Sequence, residues 1–270
     1  MNRSLLQEAW QQLRRAPLPT AEVARRVLGI DGHPGAAAAA VFSLLGADVR
    51  FRVDGDGVWS VRGTERPPGA PLSRLRYAVV DVETTGGSYE RGHRMTEVAV
   101  VEVRRGQVGE IFETLLHPGR RVPRRSVALT GITNRMLAGA PTFDEVASEV
   151  LARIAGRIFV AHNASFDWGW LRAQLGDAIG EVPEVERLCT INLARRLCPE
   201  SRHRSLGALA DHFGIPVEAR HRAAGDALAT ARLLIRLLDR AESMGIGDLR
   251  SLRRHRPSRA SLGQRELLAP

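Results

Sequence analysis

Five side chains in this sequence could do metal-assisted chemistry: Asp81, Glu83, Asp167, His221 and Asp226. Asp81 and Glu83 close the run Tyr77-Ala-Val-Val-Asp81-Val-Glu83-Thr-Thr-Gly86, which reads as a buried strand breaking into a turn. Alternate residues of a strand share a face, so Val79, Asp81 and Glu83 project to one side and Ala78, Val80 and Val82 to the other. Two adjacent anions repel unless a cation joins them, and hard carboxylate oxygens suit Mg²⁺ or Mn²⁺. Alone, an Asp-x-Glu pair is equally a strand end whose acids face solvent. The metal reading depends on acids arriving from elsewhere.

Asp167 lies in His162-Asn163-Ala-Ser-Phe166-Asp167, just inside a helix that follows a short apolar strand, where a sheet presents ligand-binding groups. An acid in a first turn also complements the helix dipole with no further role. Asp226, in His221-Arg-Ala-Ala-Gly225-Asp226, shares a helix face with Thr230, Leu233 and Leu237. Burying an unpaired carboxylate there is costly, and a bound cation neutralises it. His221 precedes Asp226 by five positions, about 140° on a continuous helix. Both face one site only where His221 stands in the loop before the helix; otherwise it is an exposed bystander. A loop histidine exchanges protons near neutral pH. Together these groups suit two-metal hydrolysis of a phosphodiester: carboxylates bridging cations about 3.5–4 Å apart, and a histidine to take the proton of the attacking water.

Val-Val-Asp81-Val-Glu83-Thr84-Thr85-Gly86, His162-Asn163-x-x-Phe166-Asp167 and His221-x-x-x-x-Asp226 resemble, in order and spacing, the three motifs of the DEDDh (DnaQ-like) 3′–5′ exonucleases, in the flavour of the proofreading epsilon subunits of bacterial DNA polymerase III. The resemblance runs from about Arg76 to Ala241, and Leu129-Thr-Gly131-Ile132-Thr133 and Ser205-Leu-Gly-Ala-Leu209 also resemble family segments. It implies a ribonuclease H-like mixed α/β sheet flanked by helices. Asp81, Glu83, Asp167 and Asp226 would be the acids holding two divalent cations, Mg²⁺ or Mn²⁺, with His221 as general base. It further implies substrate contacts from Thr84, Thr85, Gly86, Gly131, Ile132, His162, Asn163 and Phe166. The expected activity is removal of nucleoside 5′-monophosphates from single-stranded or frayed 3′ ends of DNA, with RNA 3′-end trimming as the alternative.

The elements that must position these residues are legible in outline. Helical spacing over Ser4–Leu13, a helix opened by Thr20 as N-cap and ending near Gly29, and a helix over Ala36–Leu45 precede two alternating segments, 47–53 and 57–62, joined at Asp54-Gly55-Asp56-Gly57. Three helices and a hairpin resemble a winged helix-turn-helix over residues 1–64. The alanine-rich third helix offers little to read base edges, although Arg50, Arg52 and Arg62 on the wing could touch phosphates. A nucleic-acid-binding regulator built on this unit is a second reading of the chain. A proline-rich linker, 65–75, leads to the larger domain, 76–245. There, strands at Thr96–Val103 and Gln107–Leu115 give way to a helix opened by the capping box Thr142-Phe-Asp-Glu145, a strand at Ile158–Ala161, a helix from about Ser165, a strand at Leu188–Ile191, a helix at Ser205–Phe213 and a long helix at Ala224–Met244.

The 270 residues, 44% hydrophobic, can bury a large core beside a small one. The formal net charge of +9, carried by arginine with no lysine, favours a polyanionic partner. The two cysteines, Cys189 and Cys198, lack metal-ligand spacing and are expected as reduced thiols. No signal-like or membrane-spanning run is present, so no membrane partner and a cytoplasmic location are expected. Residues 246–270 read as a flexible basic tail. Within it, Gln264-Arg-Glu-Leu267-Leu268 resembles the peptides that dock on bacterial sliding clamps, suggesting a clamp or polymerase partner.

Overall fold

The computed structural model describes residues 2–62, 69–180, 182 and 185–256. It opens with α1 (Asn2–Arg15), a two-residue strand β1 (Leu18–Pro19), α2 (Thr20–Val23), which runs on through a π-helical turn to Leu28, and α3 (Pro34–Leu45). A hairpin of β2 (Phe51–Val53) and β3 (Val58–Val61) follows, and β1 joins it in the order β1-β3-β2. Trp10, Leu13, Val23, Val41, Leu45 and Trp59 are buried together between these elements.

Three details of this unit depart from expectation. Thr20 does not cap α2: its hydroxyl donates to the Gly57 carbonyl at 2.7 Å and accepts from the Trp59 indole at 3.1 Å, tying helix to hairpin. The first hairpin strand is shorter than the 47–53 alternation suggests, because the Asp48 carboxylate turns the chain by accepting the Arg50 backbone N–H at 3.0 Å. The same carboxylate takes the Arg50 guanidinium at 2.6 Å, so Arg50, only 4% exposed, is an internal ion-pair partner and not a phosphate contact. Arg52 and Arg62 are on the surface.

In the larger unit, β4 (Arg76–Thr84), β5 (Met95–Arg104) and β6 (Gln107–Leu115) form an antiparallel meander. Then come α4 (Arg124–Thr130), α5 (Asn134–Leu137), α6 (Phe143–Ile154), β7 (Ile158–Ala161), α7 (Ala164–Ile179), β8 (Arg187–Cys189), α8 (Thr190–Leu197), α9 (Leu206–Phe213), α10 (Ala223–Ser243) and α11 (Leu249–Arg254). The sheet order is β6-β5-β4-β7-β8, with β7 parallel to β4 and β8 parallel to β7, so the sheet is mixed. Tyr77 and Val79 pack with α8, α9 and α10 on one face; Ala78, Val80 and Val82 pack with α6 and α7 on the other. The alternation read from the sequence is the alternation of the two cores. The capping box opens α6 as anticipated.

The strand expected at Leu188–Ile191 stops at Cys189, and α8 begins at Thr190. Leu193, Ala194 and Leu197 are buried at helical spacing, which outweighs the short apolar run. Both cysteines are free thiols. The chain beyond residue 245 does not leave as a tail at once. Ile246 and Leu252 are buried in the core under α10, the Leu72 N–H donates to the Gly247 carbonyl at 2.9 Å, Pro71 bridges Asp248, and Arg196 donates to the Arg253 carbonyl at 2.7 Å. Asp248 caps α11. The linker is likewise short, since Leu72 and Leu75 are already core. Linker residues 63–68 and residues 257–270, with the clamp-like peptide, lie outside the described residues. No helix among the described residues is long and apolar enough to cross a membrane.

Leu252→Ala is therefore expected to lower stability by about 2–4 kcal/mol in urea denaturation. A surface-tail position would show almost no change.

Candidate active site

β4 lies in the middle of the sheet, and Asp81 and Glu83 project from its C-terminal half. α10 packs across the same face, and Asp226 in its first turn completes a trio whose carboxylate oxygens lie within 4.8 Å of one another. Asp167 arrives from the other side, in the first turn of α7 just beyond β7. It is outside that close trio and is 4% exposed, yet its charge is the one that bears most on Asp81. The amides of Asp167 itself and of Val82 lie against its carboxylate.

Ionisation of this group is opposed everywhere. Burial, then the Asp167 charge, holds the Asp81 carboxyl well above its usual range. Burial, then Asp226 and Glu97, moves Glu83 up to about 7. Burial moves Asp167 up to about 7 and raises Asp226 against the opposing influence of His221 and Arg220. Asp226 Oδ1 is buried with no hydrogen-bond partner among the described residues. An orphaned, acceptor-only oxygen beside two further carboxylates is costly for the protein alone and fits a hard divalent cation.

His221 stands in the turn before α10, as the spacing required, with φ of 61°, a left-handed conformation uncommon for a residue with a side chain. Its backbone N–H donates to Asp226 Oδ2 at 3.0 Å, so main chain ties the histidine to the acid. Three supporting residues were not picked out from the sequence. Glu97 on β5 sits opposite Glu83 in the strand register and is 2% exposed. The Arg222 guanidinium grips its carboxylate at 2.6 Å, and the Ala223 N–H donates to it at 2.7 Å, fastening the start of α10 to β5. The signal was there: a glutamate inside the apolar run Met95-Thr-Glu97-Val-Ala-Val-Val. Gly225 is the third. A Cβ there would meet the Glu218 carbonyl oxygen at 2.2 Å and that of Ala219 at 2.7 Å, so the loop closes on the helix only over glycine.

The acids open into a cleft of about 680 Å³. Thr84, Gly86, Asn163 and Phe166 line it, Phe166 being 45% exposed. Thr85 also borders it, but its buried hydroxyl hydrogen-bonds the His93 ring at 2.9 Å and accepts the Arg94 N–H at 3.1 Å, which makes it an anchor for the loop. His162 is similarly engaged, with Nδ1 at 2.9 Å from Thr190 Oγ1 and Nε2 at 2.9 Å from the Arg204 carbonyl; burial lowers its pKa. Gly131 and Ile132 are not on the lining. Gly131 ends α4 in the left-handed conformation, and Ile132 is buried with Val122 and Leu137. Their neighbours Ser126, Leu129 and Thr130 face the cleft instead, Leu129 at 58% exposure.

Two outcomes are expected. Gly225→Ala should lower stability by about 1–3 kcal/mol through the backbone clash and depress catalysis more than a surface Gly→Ala control, measured by denaturation and turnover on the same preparations. In the metal-free protein, Glu83 and Asp167 keep protons to about pH 7 when folded but ionise near their ordinary values of 4.5 and 3.8 when unfolded. Between those limits the folded state binds more protons, so stability falls as pH rises. Thermal melting should show a lower Tm at pH 8 than at pH 5, and added Mn²⁺ should raise Tm more at pH 8.

An exonuclease-family (RNase_T) model matches residues 78–234. The chain is 37% identical over 179 residues to the DNA polymerase III subunit epsilon of Aquifex aeolicus, covering 66% of this chain and 88% of that one. It is 33% identical over 183 residues to the 3′-5′ exonuclease DinG of Bacillus subtilis, covering 68% of this chain but only 20% of DinG. Among solved structures, E. coli exonuclease I with a dT13 oligonucleotide superposes with a TM-score of 0.54 at 16% identity, covering 64% of this chain and 43% of that one. The nuclease domain of 3′hExo, a DEDDh family member bound to rAMP, gives 0.52 at 18% identity, covering 63% and 94%. These two likenesses concern the fold, which is that of ribonuclease H-like exonucleases. Motif, sheet order and sequence similarity coincide on the same stretch, and the chain belongs to the exonuclease (RNase_T) family as a DEDDh-type, DnaQ-like 3′–5′ exonuclease domain.

Proposed function

We propose that this enzyme removes nucleoside 5′-monophosphates from single-stranded or frayed 3′ ends of DNA, using two divalent cations, Mg²⁺ or Mn²⁺. The observation that carries this reading is the cluster of raised, mutually repelling carboxylates around the orphaned Asp226 oxygen. Asp81, Glu83 and Asp226 would hold the cations, with Asp167 completing the set from α7. When bound, such ions acidify water and stabilise charge on the leaving oxygen. His221 borders the cleft and takes the proton of the attacking water. Its hydrogen bond to Asp226 sets its distance from the reacting end. Phe166 and Leu129 are the exposed apolar groups that flank the terminal nucleotide, and Thr84, Gly86 and Asn163 contact it.

Substrate is assigned to DNA because one relative, covered to 88% of its length, is by name a subunit of DNA polymerase III, and DinG is by name a 3′-5′ exonuclease. Proofreading with a polymerase, and docking through residues 264–268 to a sliding clamp, extend that assignment. We assign residues 1–64 to a winged-helix-like unit on the strength of three helices and the β1-β3-β2 order, and residues 76–245 to the exonuclease domain. α3 turns Ala37, Val41 and Leu45 inward and carries no basic residue, which favours a docking role over sequence reading by this unit.

With Mg²⁺ or Mn²⁺, a 5′-labelled DNA 20-mer should shorten stepwise with release of mononucleotides, and Asp81→Ala or Asp226→Ala should reduce the rate at least a thousandfold while the fold is retained by circular dichroism. Full activity in either variant would overturn the metal-site reading. Faster digestion of a matched RNA strand would assign the enzyme to RNA 3′-end trimming, and tight, sequence-selective duplex binding that depends on the N-terminal unit would favour the regulator reading.

A further inference from the structure

Between Glu113 and Asp144 the chain runs for 30 residues without an acid while carrying Arg120, Arg121, Arg124, Arg125 and Arg135. In an arginine-rich protein such a run is unremarkable until its place in the fold is considered. Elsewhere on the larger unit arginines alternate with acids, and Arg76, Arg153, Arg157, Arg222, Arg240 and Arg253 pair with carboxylates at 2.5–3.4 Å. Among the described residues, none of the five arginines between Glu113 and Asp144 has a carboxylate partner, and all five are exposed. Guanidinium groups without carboxylate partners on a segment that walls a cleft add to a positive field that favours an anion.

The segment is also a rigid support. Val122, Ile132 and Leu137 make a small core of their own with Leu115 and Val127. The Asn134 side chain accepts the Val122 N–H at 2.9 Å, tying the start of α5 to the stretch before α4, and the His117 N–H donates to the Pro141 carbonyl at 2.8 Å, closing the segment at its base. Its inner edge, from Pro123 through Arg125 and Ser126 to Leu129, is one wall of the catalytic cleft. Arg125 thus borders the cleft itself, and the exposed Arg121, Arg124 and Arg135 lie on the segment that builds this wall.

We propose that residues 117–135 form a phosphate track for the substrate strand upstream of the bond that is cut. A chain of phosphodiesters leaving the cleft carries one negative charge per nucleotide, and guanidinium groups take phosphates in bidentate geometry. The track reads the backbone and not the bases, so it serves any sequence, and it favours strands several nucleotides long over very short ones. This rests on the exonuclease reading of the cleft, and the binding measurement below is independent of cleavage.

The test uses the full chain and the triple variant Arg121→Ala, Arg124→Ala, Arg135→Ala. Without added metal and with EDTA, binding of fluorescent dT20 and rU20 is followed by anisotropy across a salt series. The variant should bind both at least tenfold more weakly, and its plot of log affinity against log salt should flatten by about 2, three contacts at roughly 0.7 each for single strands. With Mn²⁺, the ratio of kcat/KM for dT20 to that for a dinucleotide should fall at least tenfold. The corresponding triple lysine variant should keep most of the salt slope, which separates charge from folding. Unchanged affinity and slope, or equal losses on dT20 and the dinucleotide, would overturn the track. Loss of binding in the variant of a protein that cleaves nothing would uphold the track and overturn the exonuclease reading.

Discussion

The structure depends on keeping several carboxylates together where water is scarce. Asp81, Glu83, Asp167 and Asp226 come from three separate elements, β4, α7 and α10, and each is made harder to ionise by burial. Like charges this close raise one another's pKa and weaken the fold that confines them. Among the described residues this happens at one cluster. Glu97, more buried than Asp81, Glu83 or Asp226 and opposite Glu83 in register, is given its own cation in Arg222. The five acids thus divide by counter-charge: Glu97 is satisfied by Arg222 and has a structural task, and the other four have no ion pair with a protein cation among the described residues. The same division explains why Asp226 retains an orphaned oxygen while Glu97 has both of its oxygens engaged.

That arrangement constrains the loop before α10 more than any other segment. Within six residues it must grip Glu97, hand an N–H to Asp226 and present His221 to the cleft. It does so through a left-handed backbone at Ala219 and again at His221 and a contact over Gly225 too close for any side chain. Strain of this kind persists only where surrounding contacts fix it. Here they are the Arg222–Glu97 pair on one side and the Asp226 carboxylate on the other. The position of His221 is therefore a consequence of how the neighbouring Glu97 is neutralised, and the two cannot be adjusted independently.

Most of this was legible in sequence because it follows local rules. The period-2 face of β4, the capping box of α6 and the placement of His221 ahead of a helix rest on neighbours in the chain, and the similarity to the exonuclease family supplied the order of the acids. What was not legible depends on distant partners. Thr20 reads as a cap from its neighbours but is drawn to Gly57 and Trp59 across the unit. Arg50 reads as a wing cation but is held by Asp48. Residues 246–254 read as a basic tail because three arginines crowd nine positions, yet Ile246 and Leu252 suffice to bury the segment under α10. Gly131 and Ile132 carry the family resemblance without touching the cleft: they terminate and support α4, whose other residues form the wall.

The electrostatics of the substrate follow from the same crowding. A phosphodiester that reaches Asp81 and Asp226 is an anion approaching anions, and at about 4 Å each unscreened pair is worth about 4 kcal/mol of repulsion at an effective dielectric of 20. Cations at the carboxylates reverse the sign at the reacting phosphate alone. Phosphates upstream of the carboxylates would remain exposed to the field of the site and need positive charge of their own from the protein. The net charge of +9 is consistent with that need, but charge already paired with surface carboxylates cannot meet it. An acid-free, internally braced segment on the cleft wall can, and its separation from the carboxylates lets strand capture and bond cleavage be tuned by different residues.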